Sequence, residues 1–438
     1  MTTIAIDLGA SFFKAAKFRG DSIVKSVRVE SPPCPHSDSV LEIVQIPVLV
    51  DLIRKTLTDL MYGENEVRLC ICNEMHGFIL SFDDGTPFTD YISWQKELGA
   101  VPLNGISSID LLKKDKSLLK SIEKTGMPLR SGLPSSNLFY LFRSGLLDKT
   151  NNKLFFYTLG SYIIKALFGV DVNEHPTNAA ATGLYNIVKE DWNDKLVNAV
   201  CSNKVIFPNI SDKTLSSEFN GTKVTIYPAI GDQQAALLGA DFKNDNDISF
   251  NLGTGAQVSV LLNTPVFGDG YQVRPYFFGK YLKTVPHIPS GRALNVYFRF
   301  VKDILNTFNS DIKDEDIWNT ILTLIQDNSE SSLKIDMSFF ENAITKHTKG
   351  SISDIDEYSF TLKNLFQSAV DLIGNNCLEI SERICLKDAT IENVIFSGGV
   401  AKKFQRIQNR IMSNFPNATI SVSDNETLIG LFKYSSEI

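Results

Sequence analysis

Short apolar runs alternate with amphipathic stretches along most of this chain. Residues 2–9 (TTIAIDLG) and 66–76 (EVRLCICNEMH) are apolar runs that end in polar turns, and residues 12–30 resemble a pair of strands. Residues 40–63 contain apolar positions at helical spacing. Apolar runs bounded by turn residues are typical of buried strands, and spacings of three and four are typical of amphipathic helices. The alternation predicts an α/β protein.

The same order returns in the second half. Residues 224–231 (VTIYPAIG) lead into Asp232 and a predicted helix. Residues 246–262 predict two strands around a glycine turn, and residues 391–415 predict a strand, a glycine turn and a helix. The more polar segments 100–150 and 303–355 are predicted to be peripheral helices or insertions.

Length favours two domains over one. A chain of 438 residues exceeds the usual size of a single hydrophobic core. The DLGAS segment at residue 7 and the NLGTG segment at residue 251 each follow an apolar strand, so the two halves begin alike. We therefore expect an N-terminal domain over residues 1–239 and a C-terminal domain over residues 240–438.

Composition and charge narrow the class of protein. Hydrophobic residues make up 43% of the chain and charged residues 21%, which is typical of a folded globular protein. The formal net charge of −7 disfavours a nonspecific nucleic-acid binder, because such proteins neutralise phosphates with basic surface. It does not exclude a local basic site for a small anion.

The cysteines and the N-terminus favour a cytoplasmic location. Six cysteines are spread without metal-type pairing, which favours reduced thiols over a disulfide framework; Cys70 and Cys72 are predicted to share one face of a strand. No apolar run approaches the roughly 20 residues that span a bilayer. An acid at Asp7 and the lack of a preceding basic segment make residues 1–14 a poor signal peptide.

Three glycine turns are candidate phosphate sites. Small residues expose backbone N–H groups, and a side chain at Cβ would block the approach of phosphate oxygens. The first turn is Gly9-Ala10-Ser11, the second Gly253-Thr254-Gly255, and the third, after a strand and before a helix, Ser397-Gly398-Gly399. Taken singly, the first two are also compatible with ordinary hairpin turns and the third with a tight strand-to-helix turn. The chain contains neither a Walker loop nor GxGxxG.

The order of these motifs resembles a known family. IAIDLGASFFKA is similar to the first phosphate motif, NLGTGAQVSV to the second, VIFSGGVAKKFQRIQNRIMSN to the adenosine motif, and GDQQAALLGA to the catalytic-aspartate segment of the FGGY carbohydrate kinases. The resemblance implies two ribonuclease H-like (actin-like ATPase) domains flanking a nucleotide and sugar cleft. It also implies ATP and Mg²⁺ as cofactors and a small sugar as substrate.

Segments on the substrate side resemble the ketose kinases of that family. NEMHGFIL is similar to their GQMHG segment and YISWQKE to their tryptophan-centred segment. The Asn-Ala-Ala run at residue 178 and VRPYF are similar to sedoheptulokinases, whereas GDQQAAL is more similar to glycerol kinase. The subfamily signals therefore disagree.

The resemblance assigns Asp232 as the catalytic base. A sugar hydroxyl is a poor nucleophile at neutral pH and needs a proton acceptor while it attacks the γ-phosphorus. An aspartate that precedes a helix is also a common N-cap, and both roles remain open for Asp232. Asp7 is expected to hold Mg²⁺, directly or through water. Lys14 would add charge near the phosphates or lie in solvent, and Thr254 would bind phosphate or shape its turn.

The resemblance also assigns sugar ligands. His76 would supply a hydrogen bond and Trp94 an apolar wall, and Gln233 and Asn178 would bind hydroxyls, although amides in loops often cap turns.

Three departures from the family pattern fall at these motifs: Ala10 replaces a threonine, Glu74 replaces a glutamine, and Lys96-Glu97 stands where an acid and then an arginine are usual. The nucleotide motifs are thus better preserved than the sugar motifs.

The expected function is ATP-dependent phosphorylation of a terminal hydroxyl of a ketose, with sedoheptulose first. The alternatives are a xylulokinase, another polyol kinase such as glycerol kinase, or a catalytically weak nucleotide-dependent sensor on the same fold. We expect a monomer or homodimer that binds neither nucleic acid nor membranes.

Overall fold

The computed structural model describes residues 1–32, 39–327, 329–345, 347–386, 390–422 and 426–437. The strands of the N-terminal part are β1 (Thr2–Leu8), β2 (Phe12–Arg19), β3 (Ser22–Glu30), β4 (Glu66–Asn73), β5 (Ile79–Ser81), β6 (Pro102–Leu103), β7 (Ile106–Ser107), β8 (Leu154–Tyr157), β9 (Tyr185–Asn186), β10 (Asp191–Trp192), β11 (Val205–Ile206), β12 (Leu215–Phe219), β13 (Thr222–Ile226) and β14 (Ile230–Gly231). Its helices are α1 (Gln45–Leu60), α2 (Ser108–Lys114), α3 (Lys116–Glu123), α4 (Pro134–Arg143), α5 (Leu159–Phe168), α6 (Pro176–Ala180), α7 (Asp194–Cys201) and α8 (Asp232–Gly239), with short 3-10 helices at Leu98–Ala100 and Leu146–Lys149.

The C-terminal part repeats the mixture of strands and helices. Its strands are β15 (Asp247–Leu252), β16 (Gly255–Leu262), β17 (Gln272–Pro275), β18 (Tyr281–Pro289), β19 (Lys334–Asp336), β20 (Ser351–Ser353), β21 (Asn393–Ser397) and β22 (Thr419–Val422). Its helices are α9 (Gly291–Thr307), α10 (Asp314–Leu324), α11 (Leu362–Ile384), α12 (Gly399–Lys403), α13 (Gln405–Met412) and α14 (Glu426–Glu437). The segment 303–355 therefore includes the β19–β20 hairpin as well as the predicted helices.

Two large sheets organise the molecule. The first sheet has the order β12-β13-β4-β1-β2-β3, and β14 also pairs with β4. The second sheet has the order β17-β18-β16-β15-β21-β22. Every residue of β1 is buried, which explains the lack of polar alternation at Ile4–Ile6, because a central strand covered on both faces has no solvent side. The edge strand β3 is largely exposed and carries charged residues.

Helices cover both faces of the first sheet. Helix α1 packs against one face through a stripe at helical spacing, formed by Ile46, Leu49, Ile53, Leu57 and Leu60. Helices α8 and α14 cover the other face, where Cys70 and Cys72 share a buried cluster with Leu431. The predicted common face of the two cysteines is confirmed.

The C-terminal helix returns to the first sheet. Helix α14 packs closely on α8, β1 and β4, so the chain crosses between the two halves a second time. The helices touch at Gly239 and Gly430, where a Cβ would collide with Glu426 and Ala235 backbone atoms respectively. The boundary at residue 239 coincides with the end of α8 and stays a prediction.

The remaining findings concern the cysteines and membrane spans. Five cysteines are free thiols, four of them buried, and Cys34 lies outside the described residues. Over the described ranges, no helix is long and apolar enough to cross a membrane.

Candidate active site

Three parallel strands of the first sheet end in carboxylates at one edge. In the register of the sheet, Asp7 on β1 and Ile230 on β14 both pair with Cys72 on β4. Glu74 follows β4 directly and Asp232 follows β14 directly. Because the carboxyl ends of parallel strands meet at the same edge, the three acids come together where ligands bind in open α/β sheets.

Asp7 is a buried carboxylate held by two neighbours. The residue is 4% exposed. Lys14 Nζ lies 3.0 Å from Asp7 Oδ2, and Cys72 Sγ donates to Asp7 Oδ1 at 3.6 Å. Burial raises the pKa of Asp7, and the Lys14 ammonium opposes that rise. Lys14 thus pairs with Asp7, and its contact with phosphates stays a prediction.

Asp232 is the first residue of α8, and Gly231 is the N-cap. The expectation that Asp232 could itself be the N-cap is therefore corrected: its Oδ1 accepts a hydrogen bond from the Gln233 amide at 2.8 Å instead. Gly231 has no room for a side chain, because a Cβ there would lie 2.6 Å from Met75 Sδ. This close packing turns the chain so that Asp232 projects at the helix N-terminus.

The environment of Asp232 changes its proton affinity. Burial raises its pKa to about 7, and the negative charges of Asp7 and Glu74 add to the rise. The Gln233 amide and the Arg274 guanidinium act in the opposite direction. A pKa near the working pH suits a general base, because the ionised form is present and still binds a proton well.

Glu74 is the third carboxyl of the edge. Burial raises its pKa to about 7, and hydrogen bonds from Tyr91 and Trp94 oppose the rise. The residue that departs from the family pattern is therefore a titratable group next to the catalytic candidate. Gly77 is packed so tightly on Tyr91 that a Cβ would collide with its ring, which fixes the loop after β4.

The two strongest sugar candidates lie in loops beyond this edge. His76 is half-buried with a φ of 69°, and its Nδ1 lies 2.7 Å from the Ala181 carbonyl oxygen. Burial and the nearby Arg274 lower the pKa of His76 to about 3, so the ring is neutral at physiological pH. Trp94 is 45% exposed, and its role as a wall for the sugar stays a prediction.

The two amides are placed differently. Gln233 is partly exposed beside Asp232, and its Oε1 accepts from Arg274 Nη1 at 2.6 Å. Asn178 is 1% exposed, and its Nδ2 donates to Asn73 Oδ1 and to the Ala229 carbonyl oxygen, both at 2.9 Å. Asn178 thus braces the chain just before Asp232, and direct contact with a sugar stays a prediction.

The first glycine turn joins β1 and β2. Ala10 and Ser11 are exposed, and Gly9 is confined because a Cβ would lie 2.9 Å from the Phe12 carbonyl oxygen. Ser31 fixes the turn from outside: its Oγ donates to the Gly9 carbonyl oxygen at 2.6 Å, and its amide donates to the Ser11 carbonyl oxygen at 3.1 Å. Ser31 thus holds the turn through two hydrogen bonds.

The second and third turns are neighbours in the second sheet. Strands β15 and β21 are parallel, so the turns that follow them lie side by side. Gly398 has a φ of 88°, and a Cβ there would lie 2.5 Å from the Leu252 carbonyl oxygen. Thr254 and Gly399 are exposed, and nothing lies within 4 Å of a Cβ added at Gly399. Together with Gly253, these residues form one exposed edge of small side chains.

The sequence analysis did not predict a cluster of basic residues around Arg274. Arg274 on β17 is 3% exposed and reaches Gln233 and His76. Arg130 is exposed, and its Nη1 lies 2.5 Å from His287 Nε2. Arg274 lies in the VRPYF segment. A strand pattern alone does not show that its side chain contacts residues of the N-terminal part.

The residues present are compatible with Mg²⁺ held mainly by a nucleotide. The described residues contain no group of three or more His, Cys, Asp or Glu side chains that could hold a metal. Mg²⁺ bound with phosphates needs only one or two carboxylates, since it keeps several waters. The carboxylate of Asp7 is compatible with that need.

With the fold and the edge of carboxylates in place, comparison with known proteins identifies the family. Residues 2–239 match the N-terminal domain of the FGGY family of carbohydrate kinases. The chain belongs to this family.

Relatives and solved structures agree with this assignment. The glycerol kinase of Thermococcus kodakarensis is 26% identical over 202 residues, which cover 44% of this chain and 39% of that protein. The glycerol kinase of Coxiella burnetii is 31% identical over 156 residues, which cover 34% of this chain and 31% of that protein. The chain thus spans well under half of these curated relatives.

Structures match over the whole length. A ligand-bound xylulose kinase from Lactobacillus acidophilus superposes with a TM-score of 0.80 at 17% identity. The match covers 100% of this chain and 90% of the xylulose kinase chain. The glycerol kinase of Plasmodium falciparum with ADP gives a TM-score of 0.78 at 16% identity, covering 99% and 88%. The predicted α/β fold is confirmed by these matches.

Proposed function

We propose that this chain is an ATP-dependent carbohydrate kinase that phosphorylates a terminal hydroxyl of a ketose, with sedoheptulose first and D-xylulose second. The observation that supports it most is Asp232, a carboxyl with a pKa of about 7 placed beside Asp7 at the carboxyl edge of the first sheet. Family membership supports the reaction class, because the family consists of carbohydrate kinases.

The proposed reaction is a direct phosphoryl transfer. The sugar hydroxyl oxygen forms a bond to the γ-phosphorus while the bond from that phosphorus to the β-bridging oxygen breaks, and ADP leaves with that electron pair. Asp232 accepts the hydroxyl proton as the oxygen–phosphorus bond forms. Its position at the N-terminus of α8 lets the helix dipole stabilise the carboxylate before the proton arrives.

The glycine turns are the proposed nucleotide contacts. We assign the phosphates to Gly9, Ala10, Ser11 and Lys14 on one side and to Gly253 and Thr254 on the other, with the adenosine at Gly398 and Gly399. Mg²⁺ bound at Asp7 would neutralise charge on the transferred phosphoryl group. The bond from Ser31 to the first turn and the open space at Gly399 support these assignments.

The proposed sugar contacts come from the loops next to Asp232. Trp94 would form a wall for the carbon chain, and Gln233 with the His76 loop would select hydroxyls. A ketose of five or seven carbons needs many polar partners, and this region offers amides, imidazoles and guanidinium groups. Glycerol is the second candidate, because GDQQAAL and the named curated relatives both point to it.

A sugar panel at fixed Mg-ATP tests the proposal. ADP release would be measured with sedoheptulose, D-xylulose, D-ribulose and glycerol, and the phosphorylated product identified by mass spectrometry. We expect sedoheptulose to give the highest kcat/KM. A tenfold preference for glycerol would replace the ketose assignment. ATP binding without turnover on any polyol would favour the sensor. A cytoplasmic monomer or homodimer is part of the same proposal.

A further inference from the structure

Arg274 is a buried cation whose partners are all neutral. Its Nη1 donates to Gln233 Oε1 at 2.6 Å and lies 3.6 Å from Met75 Sδ. Its Nη2 donates to Gln272 Oε1 and lies 3.4 Å from His76 Nε2. The Nε atom is buried without a hydrogen-bond partner. Four neighbours from three parts of the chain therefore converge on one guanidinium.

A buried charge without an ion pair is costly, so this arrangement calls for an explanation. Among the described residues, no carboxylate forms a salt bridge with Arg274. Burial lowers the pKa of Arg274 to about 9, which leaves the group protonated at neutral pH. The acid that it affects is Asp232: each group's charge favours the charged form of the other.

The hydrogen bonds around Arg274 show which atoms of His76 and Gln233 face it. The Ala181 carbonyl can only accept, so His76 Nδ1 carries the proton and Nε2 of the neutral ring is the acceptor that faces Arg274. Gln233 presents its carbonyl oxygen to Arg274, which turns its amide nitrogen towards Thr284 at 3.5 Å. The orientation of Gln233 depends on the guanidinium, whereas the His76 ring is held by the Ala181 carbonyl and faces Arg274 with Nε2.

Arg274 also connects the two sheets. It lies on β17 of the second sheet, whereas His76 follows β4 of the first sheet and Gln233 lies on α8 next to Asp232. The contact to His76 joins residues 198 positions apart. These bonds therefore require the two sheets to be in the arrangement seen here.

We infer that Arg274 is a positioning residue for phosphoryl transfer: from the opposite wall it orients Gln233, which is next to Asp232, and contacts His76 Nε2. The inference rests on the proposed function. If Arg274 has this role, the alignment of Asp232 with Gln233 and His76 depends on contact between the two sheets.

Two substitutions separate the roles of charge and geometry. Arg274→Gln removes both, so we expect kcat/KM to fall roughly 10- to 100-fold and the acid limb of the pH profile to move to higher pH. Arg274→Lys keeps the charge but not the planar fork, so the acid limb should return towards the wild-type position while kcat stays low. Lys283→Gln is the matched control, because it removes a cation from the neighbouring strand β18, where Lys283 packs on Tyr271.

The measurement uses the full chain and the best sugar of the panel, with circular dichroism as a check of folding. If Arg274→Gln does not fold, Arg274→Lys alone is compared with the wild type, and it should lower kcat while the acid limb stays near its wild-type position. Wild-type turnover with an unshifted acid limb in the folded Arg274 variants would overturn the inference while the kinase assignment stands. Failure of the wild-type chain to phosphorylate any sugar would overturn both.

Discussion

The pH dependence of turnover follows directly from the environment of Asp232. The base acts only when ionised, so activity should fall as the pH drops through its pKa of about 7. With that pKa, about a tenth of the carboxyl is ionised at pH 6 and about nine tenths at pH 8. We therefore expect kcat/KM to rise roughly tenfold between pH 6 and pH 8, whereas an ordinary aspartate would give a flat profile over this range.

Replacing Glu74 tests the cause of that shift. The rise of the Asp232 pKa is about 3 units, from 3.8 to about 7, and the Glu74 charge contributes less than burial and less than Asp7. Glu74→Gln removes this negative charge and keeps the shape, so the pKa of Asp232 should fall by less than about one unit. The acid limb should accordingly move to lower pH, with the largest difference near and above pH 7, where Glu74 of the wild type is ionised.

The assay is kcat/KM from ADP release at saturating Mg-ATP between pH 5.5 and 9. The control is Glu66→Gln, which removes an exposed acid at the opposite end of β4 and should leave the limb unchanged. An acid limb that stays in place or moves to higher pH in Glu74→Gln would refute the reasoning.

Three further predictions concern the fold and the metal. Gly430→Ala would force α14 off Ala235, so urea unfolding should show a loss of about 3 kcal/mol or more, whereas Gly399→Ala, with open space, should change stability by under about 1 kcal/mol. Glu64→Gln should cost about 2 kcal/mol at pH 7, because Lys17 and Arg19 hold the pKa of Glu64 at about 2. That difference should be full above pH about 4.5 and vanish as the pH falls towards 2 in unfolding curves measured across this range. Asp7→Asn should raise the Mg²⁺ concentration for half-maximal turnover by roughly tenfold or more; an unchanged requirement would remove Asp7 from the metal site.

The strand ends that carry Asp7 and Asp232 could be predicted because the signals for them are local in the sequence. An apolar run followed by an acid predicts a strand end, and this places Asp7 and Asp232 at the ends of β1 and β14. The glycine turns are local for the same reason, since the steric limit at Gly9 comes from Phe12 in the same turn. The order of the motifs then supported the resemblance to the FGGY carbohydrate kinases, and that resemblance predicted the role of each motif.

The rest depends on contacts that a linear pattern does not contain. Arg274 reaches His76 across 198 positions, and only the meeting of two sheets shows this. The pKa of Asp232 depends on burial by both halves, so its rise to about 7 could not be derived from the DQQ sequence. Asn178 is buried against Asn73, which composition and turn preferences do not reveal.

The most direct test of the central claim is the turnover of Asp232→Asn beside that of the wild type. Purified proteins would be assayed with sedoheptulose at fixed Mg-ATP, and ATP binding would be measured by calorimetry in the same buffer. The substitution keeps the size of the side chain and removes the proton acceptor. We predict that the wild type forms sedoheptulose phosphate, and that the variant binds ATP normally but turns over about 100-fold more slowly or worse. Near wild-type turnover by Asp232→Asn would contradict the assigned base, and absence of any sugar phosphate with the wild type across the panel would contradict the kinase itself.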